Sequence, residues 1–328
     1  MFNKMLRTEH GQSIVLITML MVGLVAMLGL AFDGGNAYVQ RRRMQNASDA
    51  GAFAGARTFA GTNDSSSTTE CAILQSIRRY ALLNGVQGSS TECDDSNPYI
   101  HAFFVDQNGA QVGVEMPGNS GVPPAATGIR VIAQTTFNTF FLGVVSESMG
   151  SASARATVQH GELTSADHLM PMTTVTQTFV YGQNYQLQGN VTGPGGFQWL
   201  SFDCASSEPD LVRYLNQTTP SGTWSVGQSV CAGPGVQSSS AVNTALENWL
   251  AKPDDQRKWT IAIYDTASGS GSNLTYHIVG FAEFTMSGFD FNGSNKYVNG
   301  YFSRWVRAGN LTPTRTCLFG VCGTQLTQ

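Results

Sequence analysis

Cysteines are the residues of this sequence whose spacing is most informative about chemistry. A zinc site would need closely spaced cysteine knuckles, and no neighbouring pair of cysteines has that spacing. The alternative is a set of disulfides, which indicates an oxidising compartment outside the cytoplasm. We therefore expect disulfides, and pairing of sequence neighbours is one of several connectivities that six cysteines allow. The neighbouring pairs are Cys71 and Cys93, Cys204 and Cys231, and Cys317 and Cys322.

Other reactive side chains form no recognisable catalytic or metal-binding pattern. The five histidines show neither HExxH nor HxH spacing, and we expect solvated or packed rings rather than metal ligands. Ser120 and Ser270 lie in glycine-containing stretches but have no evident base partner, and GxSxG, P-loop and GxGxxG elements do not occur. We predict a protein that is not an enzyme and that uses no metal, cofactor or small-molecule substrate.

The composition is that of an exported protein. Charged residues make up 12% of the 328 residues, against about 25% in typical soluble domains. The formal net charge is -4, and the only basic run is Arg41–Arg43, so we expect no nucleic-acid partner.

An apolar run from Ile14 to Phe32 contains Thr18 as its only polar side chain. As a helix the run would be about 28 Å long, which matches the hydrocarbon core of a bilayer at about 30 Å. It exceeds the apolar region of a cleaved signal peptide, about 7 to 15 residues, although small residues at Gly29 and Ala31 leave cleavage after Ala31 as an alternative. The predicted membrane-spanning residues include Ile14, Val15, Leu16, Leu24, Leu28, Leu30 and Phe32.

A helical pattern continues beyond the apolar run, and it predicts a stalk that extends the membrane helix. Its small residues would allow close packing, either with a helix of another protein or with the exported body of this chain. Asp33 would either pair with an arginine of a neighbouring helix or be solvated at the membrane edge. The candidate packing residues are Asp33, Tyr38, Met44, Ala47, Gly51 and Ala54.

Orientation rests mainly on the cysteines. Lys4 and Arg7 precede the run and Arg41–Arg43 follow it, so the positive charges on the two sides are nearly balanced. Paired cysteines and a charge-poor body favour an extracytoplasmic C-terminal region. We therefore predict a single-pass protein of the cell membrane.

The rest of the chain predicts an α+β fold with a β-rich, antiparallel, sandwich-like exported body. We expect a strand at 129–137 that pairs with 151–158, and helices at 72–83 and 241–252, the latter capped by Ser240. The predicted regions are 1–60 (start, membrane helix and stalk), 61–160 (first exported α+β region) and 161–328 (C-terminal β-rich region).

The N-terminal segment resembles that of TadE/TadG-like proteins of the Tad (Flp) pilus system. The resemblance lies in "GQS" before the apolar run and "LAFDGGNAYVQRRRMQNASDAGAFAGA" after it. Weaker similarity is present in "IRVIAQTTFNTFFLGVVSESMGSASARATVQ" and "GPGGFQWLSFDC". The likeness implies a membrane-anchored pilus assembly or anchoring protein whose partners are the lipid bilayer and other pilus-assembly membrane proteins.

A filament subunit is less well supported. Filament pilins are cut after a glycine and carry a glutamate five residues later, whereas counting from Gly11 gives Leu16. Without that acid, a new amino terminus would be unpaired among apolar helices, at a cost of several kcal/mol. Two other functions remain alternatives: a surface adhesin or glycan-binding module on the same anchor, and a secreted hydrolase with scattered catalytic residues.

Overall fold

The structure is a computed structural model that describes residues 12–62, 64–88, 92–93, 97–145, 149–189, 191–235, 239–292 and 295–327. Lys4, Arg7, His10 and Gly11 lie outside these ranges. One long apolar helix precedes a body built mainly of antiparallel strands, which confirms the predicted fold class.

The first helix is very long. Serine hydroxyls cap several of the shorter helices that follow it. Ser66 accepts a hydrogen bond from the Thr69 amide at 3.2 Å, and Ser239 accepts one from the Val242 amide at 3.2 Å. The cap of the last helix is thus Ser239 rather than the predicted Ser240, because Ser240 is already helical. The helices are α1 (Gln12–Ala60), α2 (Ser67–Leu83), α3 (Leu142–Val145), α4 (Glu208–Leu215) and α5 (Ser240–Leu250).

The strands form two seven-stranded sheets and one small ribbon. In two of them, Gly128–Asn138 and Tyr297–Ser303, buried and accessible side chains alternate with the period of two that a strand imposes. The strands are β1 (Ile100–Val105), β2 (Gln111–Val112), β3 (Gly128–Asn138), β4 (Met149–Leu163), β5 (Ser165–Ala166), β6 (Met172–Val175), β7 (Asn184–Gly189), β8 (Gly196–Ser201), β9 (Trp224–Ser225), β10 (Ser229–Ala232), β11 (Lys258–Ser268), β12 (Thr275–Asp290), β13 (Tyr297–Ser303), β14 (Trp305–Ala308), β15 (Leu311–Pro313) and β16 (Val321–Thr327).

The first sheet has the order β14-β16-β4-β3-β1-β2, and β15 also pairs with β4. Strands β3 and β4 pair antiparallel, with Ile132 opposite Arg155, as the sequence predicted. Strand β16 pairs antiparallel with β4, so the end of the chain completes a sheet that the first exported region begins. The division of the body at residue 160 stays a prediction.

The second sheet has the order β10-β12-β11-β6-β8-β7-β13. Its pairs are mostly antiparallel, although β6–β11 and β7–β8 are parallel. Helices α4 and α5 pack against one face, where Trp199, Trp259 and Phe284 are buried. These aromatic strand residues therefore contribute to a core, which is the commonest role of such side chains.

The second half of α1 packs against the first sheet and α2. Met44, Ala47 and Phe59 are buried in the same core as Ile77 of α2 and Ile129 of β3. Glycine allows this close approach, because a Cβ atom added at Gly55 would lie 2.6 Å from Cγ1 of Ile77. The stalk is therefore an integral part of the body and does not project freely.

His160 of β4 joins three parts of the fold. Its ring packs edge-on against Phe59 of α1 at 4.2 Å, and its Nε2 donates a hydrogen bond to the carbonyl of Arg315 at 3.1 Å. Nδ1 is buried and has no hydrogen-bond partner. Burial lowers the pKa of His160 from 6.5 to about 4, because a second ring proton would have to be desolvated there.

The cysteines lie in three pairs at disulfide distance, and each pair consists of sequence neighbours. The Sγ atoms are separated by 1.90 Å in the pair Cys71 and Cys93, 1.94 Å in Cys204 and Cys231, and 2.17 Å in Cys317 and Cys322. The Cα separations of 5.5, 5.2 and 5.6 Å are those of ordinary disulfides. The links are thus local, and the first holds the loop after α2 to that helix.

We predict that Gly55→Ala destabilises the body, because the added methyl group would overlap Ile77. Overpacking of this kind costs about 1 to 3 kcal/mol. Gly35→Ala is the matched control, since no atom lies within 4 Å of a Cβ at Gly35 and alanine favours the helix by up to about 1 kcal/mol. Thermal unfolding of the full chain in detergent should show a lower midpoint for Gly55→Ala alone. Equal midpoints would contradict the packing described here.

We also predict that stability falls as the pH is lowered from about 6.5 toward 4. The unfolded chain binds a proton at His160 in this window and the folded protein does not, so protonation favours unfolding by up to roughly 3 kcal/mol. In His160→Phe the midpoint at pH 7 should fall slightly, because the bond to Arg315 is lost, but its decrease between pH 7 and 4.5 should be smaller than in the wild type. Ile261→Val provides the control, because it weakens a buried core by about 0.5 to 1.5 kcal/mol without changing a titratable group, and its midpoint should decrease between pH 7 and 4.5 as in the wild type. An equal decrease in His160→Phe and the wild type would contradict the prediction.

Candidate functional site

The apolar half of α1 lies outside the body. Only 6% of its most apolar stretch is buried, and the helix is long and apolar enough to cross a membrane. An apolar surface this large is unusual on a soluble monomer and indicates an interaction site. The exposed side chains include all of the predicted spanning residues: Ile14, Val15, Leu16, Leu24, Leu28, Leu30 and Phe32.

The polar groups of this half are satisfied within the helix. The backbone is helical from Gln12 onward without interruption, so its amides beyond the first turn and its carbonyls are paired internally. The hydroxyl of Thr18 donates to the carbonyl of Ile14 at 2.8 Å, which satisfies the only polar side chain of the run.

Asp33 ends the apolar run and binds the loop between β3 and β4. Its carboxylate accepts hydrogen bonds from the amides of Phe140 at 2.7 Å, Phe141 at 2.9 Å and Leu142 at 2.8 Å. Only 3% of the Asp33 residue is accessible. Three charge-assisted bonds within the chain hold the carboxylate, so it is not solvated as one interpretation of the sequence expected. Its pairing with an arginine of a neighbouring helix stays a prediction.

Residues on the same face of α1 extend this contact. Gly29 makes room for Phe141, because a Cβ atom at Gly29 would lie 2.5 Å from Cβ of Phe141. The ring of Phe32 stacks on that of Phe141 with centroids 6.4 Å apart, and the side-chain amide of Asn36 donates to the carbonyl of Asn138 at 3.3 Å. We call this contact, formed by Gly29, Phe32, Asp33 and Asn36 of α1 with residues 138–142, the helix–loop junction.

Sequence reasoning missed this junction. The only available signal was the spacing of its four helix residues at i, i+3, i+4 and i+7, which places them on one helix face. Nothing in the local pattern indicates that the partner is a loop that follows more than a hundred positions later in the chain.

The predicted packing residues lie in two different environments. Met44, Ala47, Gly51 and Ala54 are buried, and a Cβ atom at Gly51 would lie 3.3 Å from Cγ2 of Ile77 in α2. The body of the same chain therefore covers this small-residue face. Tyr38, by contrast, is 67% exposed.

Two histidines of the body each contact a carboxylate. His101 contacts Glu115 at 2.7 Å, and His277 contacts Asp265 at 2.8 Å. Within the part of the chain that the structure describes, no group of three or more His, Cys, Asp or Glu side chains could hold a metal ion. The helix–loop junction and the exposed apolar half of α1 that precedes it are therefore the best candidate for a functional site.

We predict that Asp33→Asn loosens the junction, because the neutral amide offers one acceptor oxygen to the three loop amides. Hydrogen exchange of the full chain in detergent should show faster exchange at Phe140, Phe141 and Leu142. Asp49→Asn on the same helix is the control, since Asp49 bonds only the exposed side chain of Gln45 in this region. Unchanged exchange in Asp33→Asn would mean that the carboxylate does not hold the loop.

Residues 11–58 match the model of a protein family described as "Putative Flp pilus-assembly TadE/G-like". Neither a curated protein nor a solved structure matches the chain. The matched segment contains the apolar run, the helix side of the helix–loop junction and the small-residue face. This match confirms the resemblance seen in the sequence and supports a pilus-related function. Residues 11–58 of this chain are therefore similar to the N-terminal segment of TadE/G-like Flp pilus-assembly proteins.

Proposed function

We propose that the protein is a membrane-anchored assembly or anchoring component of a Tad/Flp pilus system and that it acts without catalysis. The observation that carries this proposal is the form of α1, a continuous helix within the TadE/G-like segment that is bare and apolar at one end and packed at the other. The bare end would span the bilayer, and the packed end would hold the body against it.

The cysteines support an assignment of the body to one side of the membrane. All six lie at disulfide distance from a partner and belong to the body. Disulfides persist in oxidising compartments, so we assign the body to the extracytoplasmic side. A single span then leaves the residues before α1 in the cytoplasm.

Other membrane proteins of the pilus system would be the protein partners. The buried face that carries Ala47 and Gly51 is not available to them. The accessible face of α1 just beyond the apolar run carries Gly34, Gly35 and Tyr38. A Cβ atom added at either glycine would have no described atom within 4 Å outside the neighbouring backbone of the helix itself. This face is where we expect a partner helix to approach.

We predict that anchoring is required for surface pili. In cells that lack the chain, a wild-type copy should restore both the membrane-bound protein and the pili seen by electron microscopy. A copy with Leu24→Arg and Leu28→Arg should restore neither, because each arginine near the centre of a span costs about 2.5 to 3.5 kcal/mol of insertion free energy.

Leu83→Arg is the matched control, since Leu83 is an exposed leucine of the body and its replacement should leave membrane retention and pili unchanged. Two results would contradict the proposal. Normal pili with a loss of surface attachment would indicate an adhesin, and a mature chain that begins at Phe32 in the culture fluid would indicate a released protein.

A further inference from the structure

The loop between β3 and β4 exposes apolar side chains beside the bare end of α1. Phe140 is 68% exposed, and Phe141 and Leu142 are also exposed. The sequence from Val131 to Ser146 contains no charged residue. We call residues 139–143 the loop tip.

The contact with α1 fixes the position of the loop tip along the axis of that helix. Phe141 lies against Gly29, which precedes Asp33 by one helical turn, or about 6 Å along the axis. The apolar run ends at Phe32, so the ring of Phe141 lies about 5 Å inside the end of that run. If the run fills the hydrocarbon layer, the loop tip cannot remain in water.

The backbone amides of the loop tip have the hydrogen-bond acceptors that a position out of water requires. An irregular segment is excluded from lipid when its amides have no acceptor, because each unpaired group costs several kcal/mol. The amides of Phe140, Phe141 and Leu142 all donate to the carboxylate of Asp33. The same bonds surround the carboxylate with donors, which compensates its charge near the membrane edge.

We propose that the loop tip is a second membrane contact, in which Phe140, Phe141 and Leu142 enter the interfacial layer of the bilayer leaflet next to the body. This proposal rests on the membrane anchoring proposed above. The occupant of the surface is lipid, because the exposed side chains continue the apolar surface of the span through the stacked rings of Phe32 and Phe141. The body is then held at two points and keeps a defined orientation on the membrane.

The test uses the full chain reconstituted in phosphatidylcholine vesicles that carry bromine on the acyl chains, which quenches nearby tryptophan. The fluorescence that Phe140→Trp adds to the wild-type signal should be quenched most strongly by bromine at carbons 6 and 7, which is the labelled position nearer to the interface where aromatic residues concentrate. Bromine at carbons 11 and 12 should quench it less. Leu142→Trp provides a second probe of the same tip and should behave alike.

Val114→Trp is the matched control. Val114 is 62% exposed, and it follows β2, whose partner β1 pairs with the opposite end of β3. That position is roughly 25 Å along the strand from the loop tip. Its added fluorescence should be insensitive to brominated lipid and should be quenched by acrylamide in water.

The outcomes separate this inference from the proposed function. Flotation of the same vesicles after alkaline extraction reports anchoring, and loss of the protein from the floating fraction would contradict the proposed function itself. Retention together with acrylamide quenching at Phe140→Trp would place the tip in water and overturn the inference alone. Retention with no quenching by either agent would mean that a protein, such as a second copy, covers the tip, and this too would overturn it.

Discussion

Three hydrogen bonds to the carboxylate of Asp33 hold α1 to the body at the point where the exposed half of the helix meets its packed half. On the N-terminal side of Asp33, the apolar side chains of α1 are exposed. On the C-terminal side, the same helix packs into the core beside the first sheet. A rigid helix that passes from one environment to the other needs a lateral contact at the boundary if its tilt relative to the body is to be defined. The amides of residues 140–142 provide that contact, and Gly29 allows the loop to approach the helix closely.

The small residues of the upper half of α1 serve a related purpose. Gly51 and Gly55 bring the helix backbone close to Ile77 of α2 and to the first sheet. Close approach increases the number of van der Waals contacts that the helix makes, and each contact is weak but the sum is large. A helix packed in this way moves together with the body rather than independently of it.

The end of the chain reinforces the same sheet. Strand β16 pairs with β4, and the carbonyl of Arg315 accepts a hydrogen bond from His160, whose ring lies on Phe59 of α1. The first sheet is therefore complete only when the whole chain has folded. Long-range pairing of this kind closes a large loop, whose entropic cost is recovered only when the strands have paired.

Local patterns in the sequence determined much of the architecture. The unbroken apolar run and the helical spacing beyond it predicted one continuous helix. Runs of β-branched and aromatic residues predicted the β-rich body with β3 beside β4. Both predictions were possible because the spacing of apolar residues is a property of the local sequence. The similarity to TadE/G-like proteins was likewise recognisable from the residues around Asp33 and Arg41–Arg43. Tertiary structure alone decided the partner of Asp33, the burial of Ala47 and Gly51 by the chain's own body, and the return of β16 to the first sheet. These contacts join residues far apart in the chain, and no local period carries information about which distant segment will provide the acceptor, the donor or the neighbouring strand.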